Sequence, residues 1–472
     1  MTLTAGWAAH WRARPDDVVL LDAVDGTALT GTDVDDRTAS LAGRLAAAGL
    51  RPGDRVLLSC GPSVSTVLAY AAVLRLGAVV VPANTAYTSS ELGHIVGDVR
   101  PVLAVLDDPA RLDGLPLGSW DASFEGLPGG DEAALDAASD GDLAMVAYTS
   151  GTTGRPKGAM LSAGNLRAGA EELVEAWGWT ASDRLVHALP MFHMHGLGAA
   201  LNGTFTAGAS AVVMPRFEAH AVVEAADRYG ATMFFGVPTM YARLAEAGAL
   251  PALAGLRLLV SGSAPLDPLL FERVRAEAGQ APVERYGMSE TVMLCSNSLD
   301  DRVPGCVGRP LPGVGVRLGE GGAVEVMGPN VFRGYWERPE ATAEAFTDDG
   351  WFRTGDVGRF DGEGRLYLVG RASDLIITGG YNVYPREVED ALLAHDGVVD
   401  AAVVGLPDPT WGETVAAFLV GDADPDAVAA TAAERLAAYK RPRAWFVVDE
   451  LPRNAMGKVR RDILRDQALR SD

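Results

Sequence analysis

Eleven consecutive residues, Tyr148-Thr149-Ser150-Gly151-Thr152-Thr153-Gly154-Arg155-Pro156-Lys157-Gly158, gather the groups that hold a polyphosphate. Glycines let backbone N–H groups approach an anion closely, and the four Ser/Thr hydroxyls and Lys157 add donors and positive charge. The spacing is not that of a G-x-x-x-x-G-K-[ST] loop, because Lys157 is followed by Gly158. A flexible surface turn is the alternative, but the coincidence of hydroxyl, glycine and lysine argues for a phosphate site.

Further segments follow in order: Arg285-Tyr286-Gly287-Met288-Ser289-Glu290-Thr291, Tyr335 to Pro339, Trp351 to Asp356, Gly370 to Asp374, and Pro452 to Lys458. With the first, these motifs resemble the acyl-adenylate-forming superfamily of acyl-CoA synthetases, luciferases and adenylation domains. The resemblance runs from about Tyr148 to Lys458 and implies a two-step reaction. A carboxylate attacks the α-phosphate of ATP, giving acyl-AMP and pyrophosphate, and a thiol then displaces AMP. The nucleophile is already an anion, so alignment and charge neutralisation matter more than a general base.

The resemblance also implies roles. Thr149, Ser150, Gly151, Thr152, Thr153 and Lys157 hold the β- and γ-phosphates. Tyr286 lies against the adenine, with Gly287, Met288 and Ser289 beside it in the nucleotide motif. Thr291 contacts the α-phosphate, and Glu290 helps hold Mg2+, a hard cation suited to phosphate and carboxylate oxygens. Asp356 accepts the ribose hydroxyls with Arg371 nearby. Lys458 reaches the α-phosphate and the reacting carboxylate from a small mobile domain, with Ser373 at the hinge position, where Asp or Lys is more frequent. Gly379, Gly380 and Tyr381 line the coenzyme A arm; Asn382 stands where relatives carry a basic residue.

For the acid, the segment Leu189 to Leu197 is expected to line the pocket. His193 stands where amino-acid-activating domains carry an aspartate, which argues against an amino acid. Arg285 precedes the adenine tyrosine, which sets it at the pocket floor. A buried guanidinium is costly alone and satisfied by a bidentate carboxylate. With His195 and Ser263 as further donors, the set resembles malonyl-/methylmalonyl-CoA synthetases. The alternative for Arg285 is an internal partner such as Glu284 or Asp227. A medium-chain or aryl acid–CoA ligase is the second functional reading, and a nucleotide-binding scaffold with a retired site the third.

These residues need a frame to carry them. Short apolar runs alternate with helical patterns: Val18–Asp22 and Leu29 about a hairpin at Asp25-Gly26, a helix from Asp36 to Leu50, a strand at Val56–Ser59 and a helix from Ser63 to Leu76. Thr88 to Glu91 reads as a capping box. The rhythm recurs from Ala211 to a helix over Pro265–Ala278. Strands at Val398–Val404 and Thr414–Val420 and one helix over Asp424–Tyr439 follow near the end. Such alternation predicts an α/β fold: a large N-terminal domain, 1–371, of parallel-rich sheets with crossover helices and a β-rich subdomain at about 300–370, then a small α+β C-terminal domain, 372–472.

Composition fits an ordinary globular protein. The 472 residues carry 40 Lys+Arg against 62 Asp+Glu, a net charge of −22, which argues against a general nucleic-acid or anionic-membrane binder. Three cysteines offer no disulfide or zinc framework, and neither a signal segment nor a membrane span is visible. The expectation is a cytoplasmic protein whose partners are small molecules: a dicarboxylic acid, ATP and coenzyme A. No carrier domain is read in the chain.

Overall fold

The computed structural model describes residues 1–115, 117–130, 133–149, 156–454 and 457–471. The chain forms two compact units, 1–316 with 326–352, and 317–325 with 353–472.

The first unit is built on two sheets. The six-stranded one runs in the order Gly118–Trp120, Leu103–Leu106, Arg55–Ser59, Val79–Pro82, Leu143–Thr149, Lys157–Ser162. Its inner pairs are parallel, and the last strand returns antiparallel. The nine-stranded sheet has Val283–Tyr286, Leu258–Ser261, Met233–Gly236, Arg184–His187 and Ser210–Val213 as its parallel centre. Parallel strands need crossover helices, and Ala219–Arg228 and Pro238–Glu246 cover one face with an apolar layer around Val186, Phe234 and Leu259.

Local signals hold up. Ser63 caps the helix Val64–Arg75, and Thr88 with Glu91 closes a capping box. The hairpin at Asp25-Gly26 joins Val18–Asp22 to Ala28–Thr30. Two boundaries differ from expectation. The helix expected from Pro265 begins at Pro268, because the Asp267 carboxylate accepts from the N–H groups of Leu269 and Leu270 and fixes the start there. The helix expected over Asp424–Tyr439 ends at Arg435: Leu436 turns extended and is buried, and the Arg441 guanidinium donates to the carbonyls of Ala433 and Leu436, satisfying the helix end. A short 3-10 turn, Ala438–Lys440, follows.

The second unit holds the antiparallel pair Phe352–Phe360 and Leu366–Arg371. It also holds a five-stranded sheet of Tyr381–Val383, Ile376–Thr378, Gly412–Gly421, Val398–Asp408 and Ala444–Val447. Alternate residues of its long central hairpin feed opposite faces. Ala401, Val403, Ala417 and Leu419 pack with helices Pro385–Leu393 and Pro425–Arg435, whereas Ala402, Val404, Ala416 and Phe418 pack with Leu464 and Ala468 of helix Arg461–Ser471. The strands expected in the β-rich segment are present, but packing divides them. Arg309–Pro310 joins the nine-stranded sheet through Cys295–Ser296, while 353–371 belongs with the second unit. All three cysteines are free and buried, and among the described residues no helix is long and apolar enough to cross a membrane.

Candidate active site

The phosphate-loop motif joins two antiparallel strands, Leu143–Thr149 and Lys157–Ser162, with Thr149 registered on Lys157. Ser150, Gly151, Thr152 and Thr153 lie outside the described residues. The hairpin is closely packed at its neck: a Cβ on Gly158 would fall 2.5 Å from Cγ1 of Val146. A segment at 334–336 lies along the returning strand, with Met160 N–H donating to Gly334 O and Trp336 N–H to Gly158 O. That pairing sets Tyr335 beside Lys157. Nζ of Lys157 lies 5.2 Å from the Tyr335 ring centroid, and the Tyr335 hydroxyl donates to Oε1 of Glu290 at 3.1 Å. One tyrosine thus gathers two expected site residues, the loop lysine and the motif carboxylate. The sequence motif contained Tyr335 without revealing that task.

Glu290 is buried within a turn, Met288 to Thr291, that follows the strand Val283–Tyr286. Its carbonyl accepts from Phe332 N–H at 2.7 Å. Met288 N–H donates to Oγ1 of Thr291, and Thr291 N–H returns a bond to Met288 O. Gly287 leaves room for this turn, since a Cβ there would come within 2.3 Å of Val292 O. Val292 itself has φ 56°, a strained setting for a β-branched residue. Tyr286 is buried, and Gly287, Met288 and Ser289 are half-buried.

Arg285 is 6% exposed, and its Nε and Nη2 have no hydrogen-bond partner. Glu284 does not serve it: its Oε1 accepts from Gly305 N–H. Among the described residues no ion pair to Asp227 forms either. Burial pulls the guanidinium down to about 9. Its shelf is Gly262, where a Cβ would sit 2.3 Å from Nε. The next residue, Ser263, has φ 72° and places its Oγ 3.3 Å from Nδ1 of His195. His195 opens a π-helix, His195–Leu201, and its backbone N–H donates to Nδ1 of His193. Its Nε2 is buried without a partner, and burial, then Arg285, push its pKa well below the usual histidine range. The three expected acid-binding residues therefore come together. Gly262 was the residue missed; its signal was a glycine between two serines after an apolar strand.

In the second unit, Asp356 and Arg371 face each other across paired strands, with Arg371 Nε 2.9 Å from Asp356 Oδ1. Ser373 lies in a 3-10 turn, Ala372–Asp374, and donates to the Asp374 carboxylate. Gly379 and Gly380, both at positive φ, form the two-residue turn between Ile376–Thr378 and Tyr381–Val383. Tyr381 is 56% exposed and stacks on Tyr439 at 4.6 Å. Lys458 follows a loop clasped by Asn454, whose side-chain oxygen accepts from Lys458 N–H.

Lys157 at the start of a returning strand, the buried carboxylate of Glu290 held by Tyr335, and a separate α+β unit carrying Lys458 fit an enzyme that activates carboxylic acids with ATP. Residues 7–336 match the AMP-binding enzyme family and residues 387–458 the AMP-binding enzyme C-terminal domain, and the chain belongs to this family. It is 37% identical to the mitochondrial malonate–CoA ligase ACSF3 of Mus musculus, over 89% of this chain and 83% of that one. It is 38% identical to a feruloyl-CoA synthase of an Amycolatopsis species, over 92% and 93%. The crystal structure of ATP-bound MatB from Rhodopseudomonas palustris superposes with a TM-score of 0.92 at 39% identity, covering 99% of both chains. The protein is an ATP-dependent, AMP-forming acid–CoA ligase close to the malonyl-CoA synthetases.

Proposed function

We propose that the acid is malonate or methylmalonate, one carboxylate being activated and the other clamped. The observation that carries this is Arg285: a buried cation with open donors, set on Gly262 and next to His195 and Ser263. An isolated buried charge is costly, and a carboxylate is the ligand that satisfies a guanidinium in two places. The malonate–CoA ligase relative supports the reading. The feruloyl-CoA synthase, at similar identity, supports the aryl-acid alternative.

In this reading the free carboxylate attacks the α-phosphorus and pyrophosphate leaves; the thiol sulfur of coenzyme A then attacks the acyl carbon and AMP leaves. Thr149, Lys157 and the loop residues to Thr153 hold the outer phosphates. Tyr286 through Ser289 hold the adenosine, Thr291 meets the α-phosphate, and Asp356 with Arg371 receives the ribose. Glu290, a buried carboxylate pinned by Tyr335, fits Mg2+ and would hold it. When bound, that ion supplies charge neutralisation on the phosphates. Lys458 serves adenylation, and rotation about Ser373 brings Gly379, Gly380 and Tyr381 to the thioester step.

A panel of malonate, methylmalonate, octanoate and ferulate, each with ATP and coenzyme A and read by pyrophosphate release, tests the assignment. The diacids are expected to exceed the monoacids at least about a hundredfold in kcat/KM. Monoacids as good as malonate would move the assignment to the aryl or medium-chain class.

A further inference from the structure

The nine-stranded sheet has a second face. Val186, Phe234 and Leu259 point into the helix-covered layer. Side chains alternate along a strand, so the next residues, His187, Phe235 and Val260, face the other way. They stand at one level: Val186 is registered on Phe234, and Phe235 on Val260. On that face the His195 ring lies over Phe235, centroids 6.4 Å apart and planes 25° apart. His187 is therefore one strand away from the ring that His195 covers. It is 1% exposed, and neither ring nitrogen has a hydrogen-bond partner.

A neutral imidazole has one donor and one acceptor to satisfy. Leaving a buried polar group unmatched is destabilising. A leucine or phenylalanine beside Phe235 and Val213 would carry no such cost. Burial keeps His187 uncharged, its pKa pulled down to about 4. A group that offers one N–H and one lone pair matches a hydroxyl, which accepts and donates. It does not match a methyl, which does neither, and it is a weaker partner than Arg285 for a carboxylate.

We propose that His187 is a specificity-determining residue at the inner end of the acyl pocket, recognising a hydroxyl on the carbon between the two carboxylates of a malonate. The proposal rests on the malonate reading above.

The experiment compares kcat/KM for malonate, methylmalonate and hydroxymalonate in the parent, His187→Leu and His187→Asn proteins, with thermal unfolding of each. The parent is expected to prefer hydroxymalonate to methylmalonate. His187→Leu should shift that ratio about tenfold toward methylmalonate. His187→Asn, which keeps a donor and an acceptor, should restore part of the preference. A parent that turns over malonate but rejects hydroxymalonate overturns the proposal, whether or not the variants fold. So does a Leu variant that loses all three acids equally. A parent without malonate turnover overturns the underlying reading, and this proposal with it.

Discussion

The guanidinium of Arg285 rests on the bare α-carbon of Gly262, so close that a Cβ would stand 2.3 Å from Nε and 2.5 Å from Cζ. The shelf and the cation come from neighbouring strands, Leu258–Ser261 and Val283–Tyr286, which run parallel. Their register sets the guanidinium against Gly262, with His195 and Ser263 in contact nearby.

Replacing Gly262 by alanine should push the guanidinium aside without touching the nucleotide motifs. The KM for malonate is expected to rise about tenfold or more, since displacements of an ångström are felt strongly in bound geometry. The KM for ATP should change little. Steady-state kinetics with each substrate varied in turn would show it; equal effects on both would place Gly262 outside the acid pocket.

Arg285→Met should separate binding from stability. Loss of the clamp is expected to cost about a hundredfold in kcat/KM for malonate. Removing a buried, unpaired cation should raise the unfolding midpoint by about a degree, on the order of 1 kcal/mol. The sign follows from protonation. The folded guanidinium sits near 9 against an ordinary 12.5, so the unfolded chain binds the extra proton between those values. The penalty is complete below about 9, and the gain from methionine should be full at pH 7 and shrink as pH rises through that window. Melts at pH 7 and pH 10 provide the comparison.

Glu172, in helix Ala163–Ala176, behaves in the opposite sense. Burial, helped by Glu171, pushes its carboxyl up to about 8, and its Oε2 has no partner. The folded state therefore holds a proton that the unfolded chain has released above about 4.5, and stability falls as pH rises from there through about 8. Glu172→Gln should melt close to the parent at pH 4.5 and several degrees higher at pH 8.5. A constant difference across pH would assign the effect to packing.

Lys458→Ala should divide the two half-reactions. Acyl-AMP formation is expected to fall about a hundredfold or more, as when a positioned charge is lost from a transition state. Conversion of supplied acyl-AMP and coenzyme A to thioester should survive. Failure of both halves would contradict the reorientation of the small unit.

Much of this was legible in the chain. Capping residues such as Ser63 and Thr88 mark helix starts because they complete bonds within a few residues. Arg285, His195 and Ser263, grouped in the sequence because an arginine in an apolar strand is costly and therefore conspicuous, are neighbours in the structure. What escaped depended on contacts between distant segments. Gly262 gains its meaning only when two strands register, and Tyr335 only when 334–336 lies along the hairpin to bring Lys157 and Glu290 to one ring. The early end of the helix at Arg435 was hidden for the same reason, since Arg441 satisfies it from beyond the periodic segment.

Competition among acids in one tube reads the selectivity for malonate. Equimolar malonate, octanoate and ferulate are incubated with the enzyme, ATP, Mg2+ and limiting coenzyme A, and the thioesters are weighed by mass spectrometry. The expected product is almost entirely malonyl-CoA, accompanied by AMP and pyrophosphate, with that selectivity lost in Arg285→Met. Feruloyl- or octanoyl-CoA as the main product of the parent enzyme would contradict the account.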